Sequence, residues 1–190
     1  MANADRTEIA VILDRSGSMQ HICDDMVGGF KTFVDGHRAE PGQCVLSLYQ
    51  FDSEFDVVYE AKPLSKVGAL KLEPRGETAL LDAVGKSITL IAERHDKLPE
   101  GERPTAVIVL VITDGHENAS TEWNLAGVHT AVTAAQEKRR WNFVFLGADA
   151  AAFEDARSMG IATAMEYERT PESIGTLYSM VLERSRSYRR

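Results

Sequence analysis

Residues 106–112 read AVIVLVI, an unbroken apolar run. It is too short to cross a bilayer as a helix, which takes about 20 residues. Every position is apolar, so a strand made from it wants both faces buried. Such a strand belongs in the middle of a parallel sheet with helices on both sides, and the rest of the chain has to supply those layers.

It does so in alternation. The segment 9–14 (IAVILD) reads as a first strand, and 21–34 then carries Ile22, Met26, Phe30, Phe33 and Val34 at helical spacing. Pro41-Gly42 breaks the chain before a strand at 44–51, and Asp52-Ser53 turns it into a second run at 54–60, an antiparallel hairpin. The stretch 62–73 is irregular, with room for one short helix. A helix is expected over 78–94, the central strand over 105–113, and a helix over 120–138 with Ser120 or Thr121 as its N-cap. A strand at 141–147, a helix at 149–160 ending on Gly160, an edge strand at 161–167 and a helix opened by Pro171 complete the order. The pattern implies an α/β, doubly wound, Rossmann-like three-layer α/β/α sandwich. Its six-stranded sheet is mostly parallel, with one antiparallel edge strand.

At 190 residues, 44% hydrophobic and 26% charged, the chain suits one domain over 1–190, with a core of about 7–183 and a basic C-terminal tail at 184–190. The net charge of −8 argues against a nucleic-acid surface or an anionic membrane as partner. Cys23 and Cys44 lack zinc spacing and read as reduced thiols, and MANADRTEIA has no apolar leader, so a cytoplasmic protein is expected.

In a doubly wound sheet, ligands gather at the C-terminal ends of the strands. Three stretches end there: Asp14-Arg15-Ser16-Gly17-Ser18; PRGETALLDA (74–83), with Thr78; and VITDGHEN (111–118), with Asp114. Together they offer two carboxylates and three hydroxyls. These are hard oxygen ligands suited to Mg2+, with Mn2+ possible, rather than to zinc or copper.

This constellation resembles the von Willebrand factor type A domain and its metal-ion-dependent adhesion site, written D-x-S-x-S, then Thr, then Asp. Asp14, Ser16, Ser18, Thr78 and Asp114 match its five positions, and the wording of the three stretches looks most like small stand-alone members from bacteria and phages. The resemblance implies direct metal binding by Ser16 and Ser18, and by Thr78 in the ligand-competent state. Asp14 and Asp114 would act mainly through metal-bound waters. One coordination position stays open for a Glu or Asp carboxylate of a partner protein. The function implied is a metal-dependent protein-binding module, not an enzyme. Two carboxylates balance a divalent ion while neutral hydroxyls add no charge, so the ion stays electrophilic. Helix N-termini at the same edge should add positive potential.

Plainer accounts exist for each piece. Asp14 and Ser16 could be a strand end and a cap, Thr78 a helix cap, and Asp114-Gly115 a turn. Arg15 and Arg75 lie in the site loops, either solvated or forming a second contact to an acidic ligand, and with His116 and Glu117 they make up a partner-binding rim. The rival class is a Mg2+-dependent hydrolase or phosphotransferase. A haloacid-dehalogenase-type nucleophile needs a second Asp two residues after the first, and that position holds Ser16. VGKS (84–87) lacks the upstream glycine of a phosphate-binding loop and falls mid-helix. Gly28-Gly29 should disfavour its helix by roughly 1 kcal/mol each, which suggests close packing against the sheet.

Overall fold

The computed structural model describes residues 6–148 and 150–188. The chain start at 1–5, the expected first helical residue Asp149 and the last two arginines of the tail, Arg189 and Arg190, lie outside the described residues.

Strands β1 (Arg6–Asp14), β2 (Gln43–Phe51), β3 (Phe55–Pro63), β4 (Ala106–Thr113), β5 (Asn142–Gly147) and β6 (Ala164–Glu166) form one sheet in the order β3-β2-β1-β4-β5-β6. All neighbouring pairs are parallel except β2 with the edge strand β3. Helices α1 (Cys23–Arg38) and α5 (Pro171–Tyr188) cover one face, burying Met26, Phe30, Phe33, Leu177 and Tyr178 against Ile9, Val11, Ile108 and Leu110. Helices α2 (Leu80–Lys97), α3 (Leu125–Arg139) and α4 (Ala150–Ser158) cover the other, where Val84, Ile91, Val128 and Val132 meet Ala10, Ile12, Val109 and Val111. In β4, Ile108, Leu110 and Ile112 go to one layer and Val107, Val109 and Val111 to the other, which is why the run is apolar throughout.

Local sequence explains most boundaries and misplaces a few. A 3-10 turn, Gly17–Ile22, precedes α1, and the irregular stretch after β3 holds one more, Leu64–Lys66. Helix α3 starts four residues later than Ser120 would place it: Asn124 is its N-cap, accepting from the Gly127 N–H at 2.9 Å. Ser120 and Thr121 are instead bound to Asp82 and Glu117. The close approach implied by Gly28-Gly29 is to a helix, not the sheet. A Cβ on Gly29 would sit 2.1 Å from the Tyr178 ring of α5, whereas one on Gly28 would meet nothing within 4 Å. Gly85 of VGKS packs under the ring of Trp123, from the loop before α3.

The chain leaves β1 for β2 on one side and reaches β4 on the other, so the sheet's switch point lies between β1 and β4. Leu13 pairs with Ile112, which sets Asp14 beside Thr113 at the C-terminal edge.

Candidate metal centre

Asp14 is the last residue of β1 and fully buried. Its Oδ1 accepts the Ser16 backbone N–H at 2.6 Å, and its Oδ2 accepts the Thr113 hydroxyl at 2.6 Å. The Ser16 and Ser18 hydroxyls lie 3.1 Å apart, and Ser18 Oγ donates to Asp114 Oδ1 at 2.5 Å. Thr78 arrives from the loop before α2, its backbone clamped by Asn118: Thr78 N–H donates to Asn118 Oδ1 at 2.8 Å, and Asn118 N–H to Thr78 O at 3.0 Å. Gly115 marks where these groups converge. A Cβ there would lie 3.2 Å from Thr78 Oγ1, 3.6 Å from Ser18 Oγ and 4.0 Å from Asp14 Oδ2. The structure therefore brings Asp14, Ser16, Ser18, Thr78 and Asp114 to one spot.

The plainer local accounts do not hold for the hydroxyls. Ser16 is the N-cap of the 3-10 turn yet makes no side-chain capping bond. The N-cap of α2 is Ala79, not Thr78, and it too makes no side-chain capping bond. Groups from another loop satisfy the start of α2: Leu81 N–H goes to Glu117 Oε2 at 2.8 Å and Asp82 N–H to Ser120 Oγ at 3.0 Å. A carboxylate thus already answers the positive end of that helix.

Burial, above all, and the neighbouring Asp114 charge push the Asp14 carboxyl up to about 6, against the hydrogen bonds from Thr113 and Ser16. Two carboxylates with three hydroxyls, and a glycine where a side chain would intrude, suit a small hard cation. Among the described residues no group of three or more His, Cys, Asp or Glu side chains is placed to hold a metal ion, so the donor set here relies on hydroxyls beside its two carboxylates.

The expected rim is largely spent on building the site. Arg15 is buried, not solvated, and pairs with Asp52 at 2.9 Å and Asp56 at 2.6 Å. Arg75 is half exposed and reaches the same Asp52 at 2.7 Å and Glu54 at 2.5 Å. Glu117 accepts from the backbone of Leu81, Ala119 and Ser120 and from the Ser120 hydroxyl. His116 is half exposed, with Nδ1 3.0 Å from Asp155.

Several residues that hold the site have no mark in the sequence. Asp52 is a hub: besides Arg15 and Arg75 it accepts the Glu54 N–H at 2.6 Å, and its carbonyl accepts the Ala79 N–H at 2.9 Å, tying two site loops to the β2–β3 turn. Burial works to raise its carboxyl. The Glu54 N–H and the Arg75 and Arg15 guanidiniums outweigh that and hold it below the usual carboxylate range. Asp82 accepts three successive N–H groups, from Thr121, Glu122 and Trp123, fixing the loop beyond Asn118. From the β6–α5 connection, Tyr167 donates its hydroxyl to Thr113 O at 3.1 Å and Arg169 its Nη2 to Asp114 O at 2.5 Å. A separate polar cluster at the opposite end of β1 joins buried Glu8 to Ser47, Arg94 and His95. Burial opposes its charge, and the His95 and Arg94 hydrogen bonds prevail to lower the Glu8 carboxyl.

By sequence, residues 8–172 match the von Willebrand factor type A domain. No curated protein matches the chain. Among solved structures it is similar to the vWF domain of the type V pili tip protein Mfa5 from Porphyromonas gingivalis, with TM-score 0.70 and 9% identity over 98% of this chain and 97% of that one. It is similar to the pilus adhesin SpaC from Lactobacillus rhamnosus GG in its open conformation, with TM-score 0.70 and 11% identity over 97% of this chain and 30% of SpaC. A third likeness is the ArnB paralog VWA2 from Sulfolobus acidocaldarius, with TM-score 0.55 and 16% identity over 93% of this chain; the chain spans 44% of VWA2. At these identities the likeness concerns the fold.

Proposed function

The chain belongs to the von Willebrand factor type A domain family, and from that premise we propose that it is a metal-dependent protein-binding module. In this reading Asp14, Ser16, Ser18, Thr78 and Asp114 hold a Mg2+ or Mn2+ ion, which captures a Glu or Asp carboxylate of a partner protein. The observation that carries the reading is the convergence of Thr78, Ser18 and Asp14 oxygens on Gly115, with the Ser16 and Thr78 hydroxyls free of capping duty.

The chain's own residues divide the work. Asp14 and Asp114 supply the negative charge, and Thr113 and Ser18 orient those carboxylates through hydroxyl donors. Asn118 fixes Thr78 by its backbone, leaving the hydroxyl to the ion. Asp52 holds the loops of Arg15 and Arg75 in register. When bound, the ion supplies the positive centre that a carboxylate seeks. Vicinal Asp nucleophile chemistry has no residue to support it, since position 16 is serine.

We read the whole chain, 1–190, as one such module. We place the chain in the cytoplasm, reading Cys23 and Cys44 as reduced thiols. No helix among the described residues is long and apolar enough to cross a membrane. The test is capture of partners from lysate by immobilised chain in Mg2+ or in chelator, with Asp14→Ala alongside. Retention of a protein by wild type in Mg2+ alone supports the reading. Metal-independent capture, or turnover of phosphoester substrates abolished by Asp14→Ala, would displace it.

A further inference from the structure

We propose that Arg169 is an internal counter-cation of the metal centre, and that it lowers the affinity of the centre for a divalent ion. The inference rests on the reading of the five oxygen-bearing residues as a metal site.

Arg169 lies in the connection between β6 and α5, two residues before Pro171 opens the helix. Its Nη2 donates to the Asp114 carbonyl at 2.5 Å, and its Nε lies 3.3 Å from Asp114 Oδ2. Ser18 takes the other carboxylate oxygen at 2.5 Å. Every acceptor of Asp114 therefore has a donor, and one of these donors carries a full charge. Asp14 differs: both of its oxygens are met by neutral donors, and among the described residues it has no ion-pair partner. Two carboxylates share the edge of the sheet and Arg169 is the cation that answers them. Arg15 and Arg75, nearer in sequence, are committed to Asp52.

The arrangement has two consequences. Without a divalent ion, Arg169 offsets the repulsion between Asp14 and Asp114 and keeps the β4 end in place. With one, Arg169 stands as a like charge beside the bound cation, so its own hold on Asp114 Oδ2 has to weaken. The Asp114 side chain is fully buried whereas that of Arg169 is 46% exposed, so the guanidinium has water to move into and the carboxylate does not. Solvent screening keeps the effect modest. An exposed pair is worth a factor of up to about five, and the doubled charge of the ion works against screening, so roughly fivefold is expected.

The experiment is Mn2+ titration by calorimetry on metal-stripped chain, together with thermal unfolding in chelator. Wild type, Arg169→Gln, Arg169→Lys and, as a distant charge control, Arg139→Gln are compared. Arg169→Gln should bind Mn2+ about fivefold more tightly at low salt, with the gain shrinking at high salt. It should also unfold at lower temperature than wild type in chelator and recover in excess Mn2+. Arg169→Lys, which keeps the charge, and Arg139→Gln should stay within about twofold of wild type. Equal or weaker binding by Arg169→Gln, with wild type binding normally, overturns this inference alone and makes Arg169 a positioning residue. A wild type that binds no Mn2+ overturns the metal reading and this inference with it.

Discussion

Gly115→Ala separates metal binding from folding. The added methyl would lie 3.2 Å from Thr78 Oγ1, 3.6 Å from Ser18 Oγ and 4.0 Å from Asp14 Oδ2. Only the first contact is tight, and relieving it takes a shift of a few tenths of an ångström. Asn118 pins the Thr78 backbone on both sides, so the shift falls on the hydroxyl. Gly115 is not among the glycines at positive φ, which are Gly42, Gly76 and Gly160, so alanine meets no backbone strain. Restricting the unfolded chain should then stabilise the metal-free protein by about 0.4–1 kcal/mol, or about 1–4 °C in Tm for a chain of this size. Mg2+ is less forgiving: it takes oxygens at about 2.0–2.1 Å in near-octahedral array, with about 0.2 Å of tolerance. A hydroxyl displaced by more than that is strained or lost as a ligand, and affinity should fall about 10- to 100-fold. Calorimetric titration with Mg2+ and Mn2+, paired with thermal unfolding in chelator, reads both effects. Wild-type affinity in Gly115→Ala would refute the placement of the ion among these oxygens. A lowered Tm in chelator would refute the claim that the space at Gly115 serves binding rather than packing.

Two further outcomes follow from the same geometry. Asp52→Asn should cost about 2–4 kcal/mol in chemical denaturation, because it leaves the buried Arg15 with Asp56 alone. The Asp52 carboxyl is held below its ordinary value of 3.8 in the folded chain, so its contribution is complete above that value and is lost as pH falls through the lower folded one; Asp52→Asn should flatten this acid limb, and an unchanged limb would count against the hub. Gly28→Ala and Gly29→Ala should move stability in opposite directions: a gain of about 1 kcal/mol at 28, where a Cβ meets open space, and a loss of about 1–3 kcal/mol or more at 29, where it meets the Tyr178 ring. Equal effects would contradict the packing of α1 on α5.

The sheet was legible because its signals are local. A strand buried on both faces has no polar position to hide, so AVIVLVI announces the centre of a parallel sheet, and the helices beside it show apolar residues every three or four positions. The candidate ligands were legible for a related reason. Asp14, Ser16 and Ser18 lie within five residues, Asp114 directly follows β4, and Thr78 lies two residues before α2. Tertiary structure decided what those residues are free to do. The Ser120 start expected for α3 gives way to Asn124 because Asp82, from distant α2, claims the N–H groups of Thr121, Glu122 and Trp123. Arg15 and Glu117 look like a rim in the sequence and are buried or fully bonded in the fold. Asp52 and Arg169 carry no motif, since each acts on a partner 23 to 55 residues away. Periodicity and short motifs are written in neighbouring residues. The bonds that orient a carboxylate or neutralise it join residues distant in sequence, and only the packed sheet edge brings them within reach.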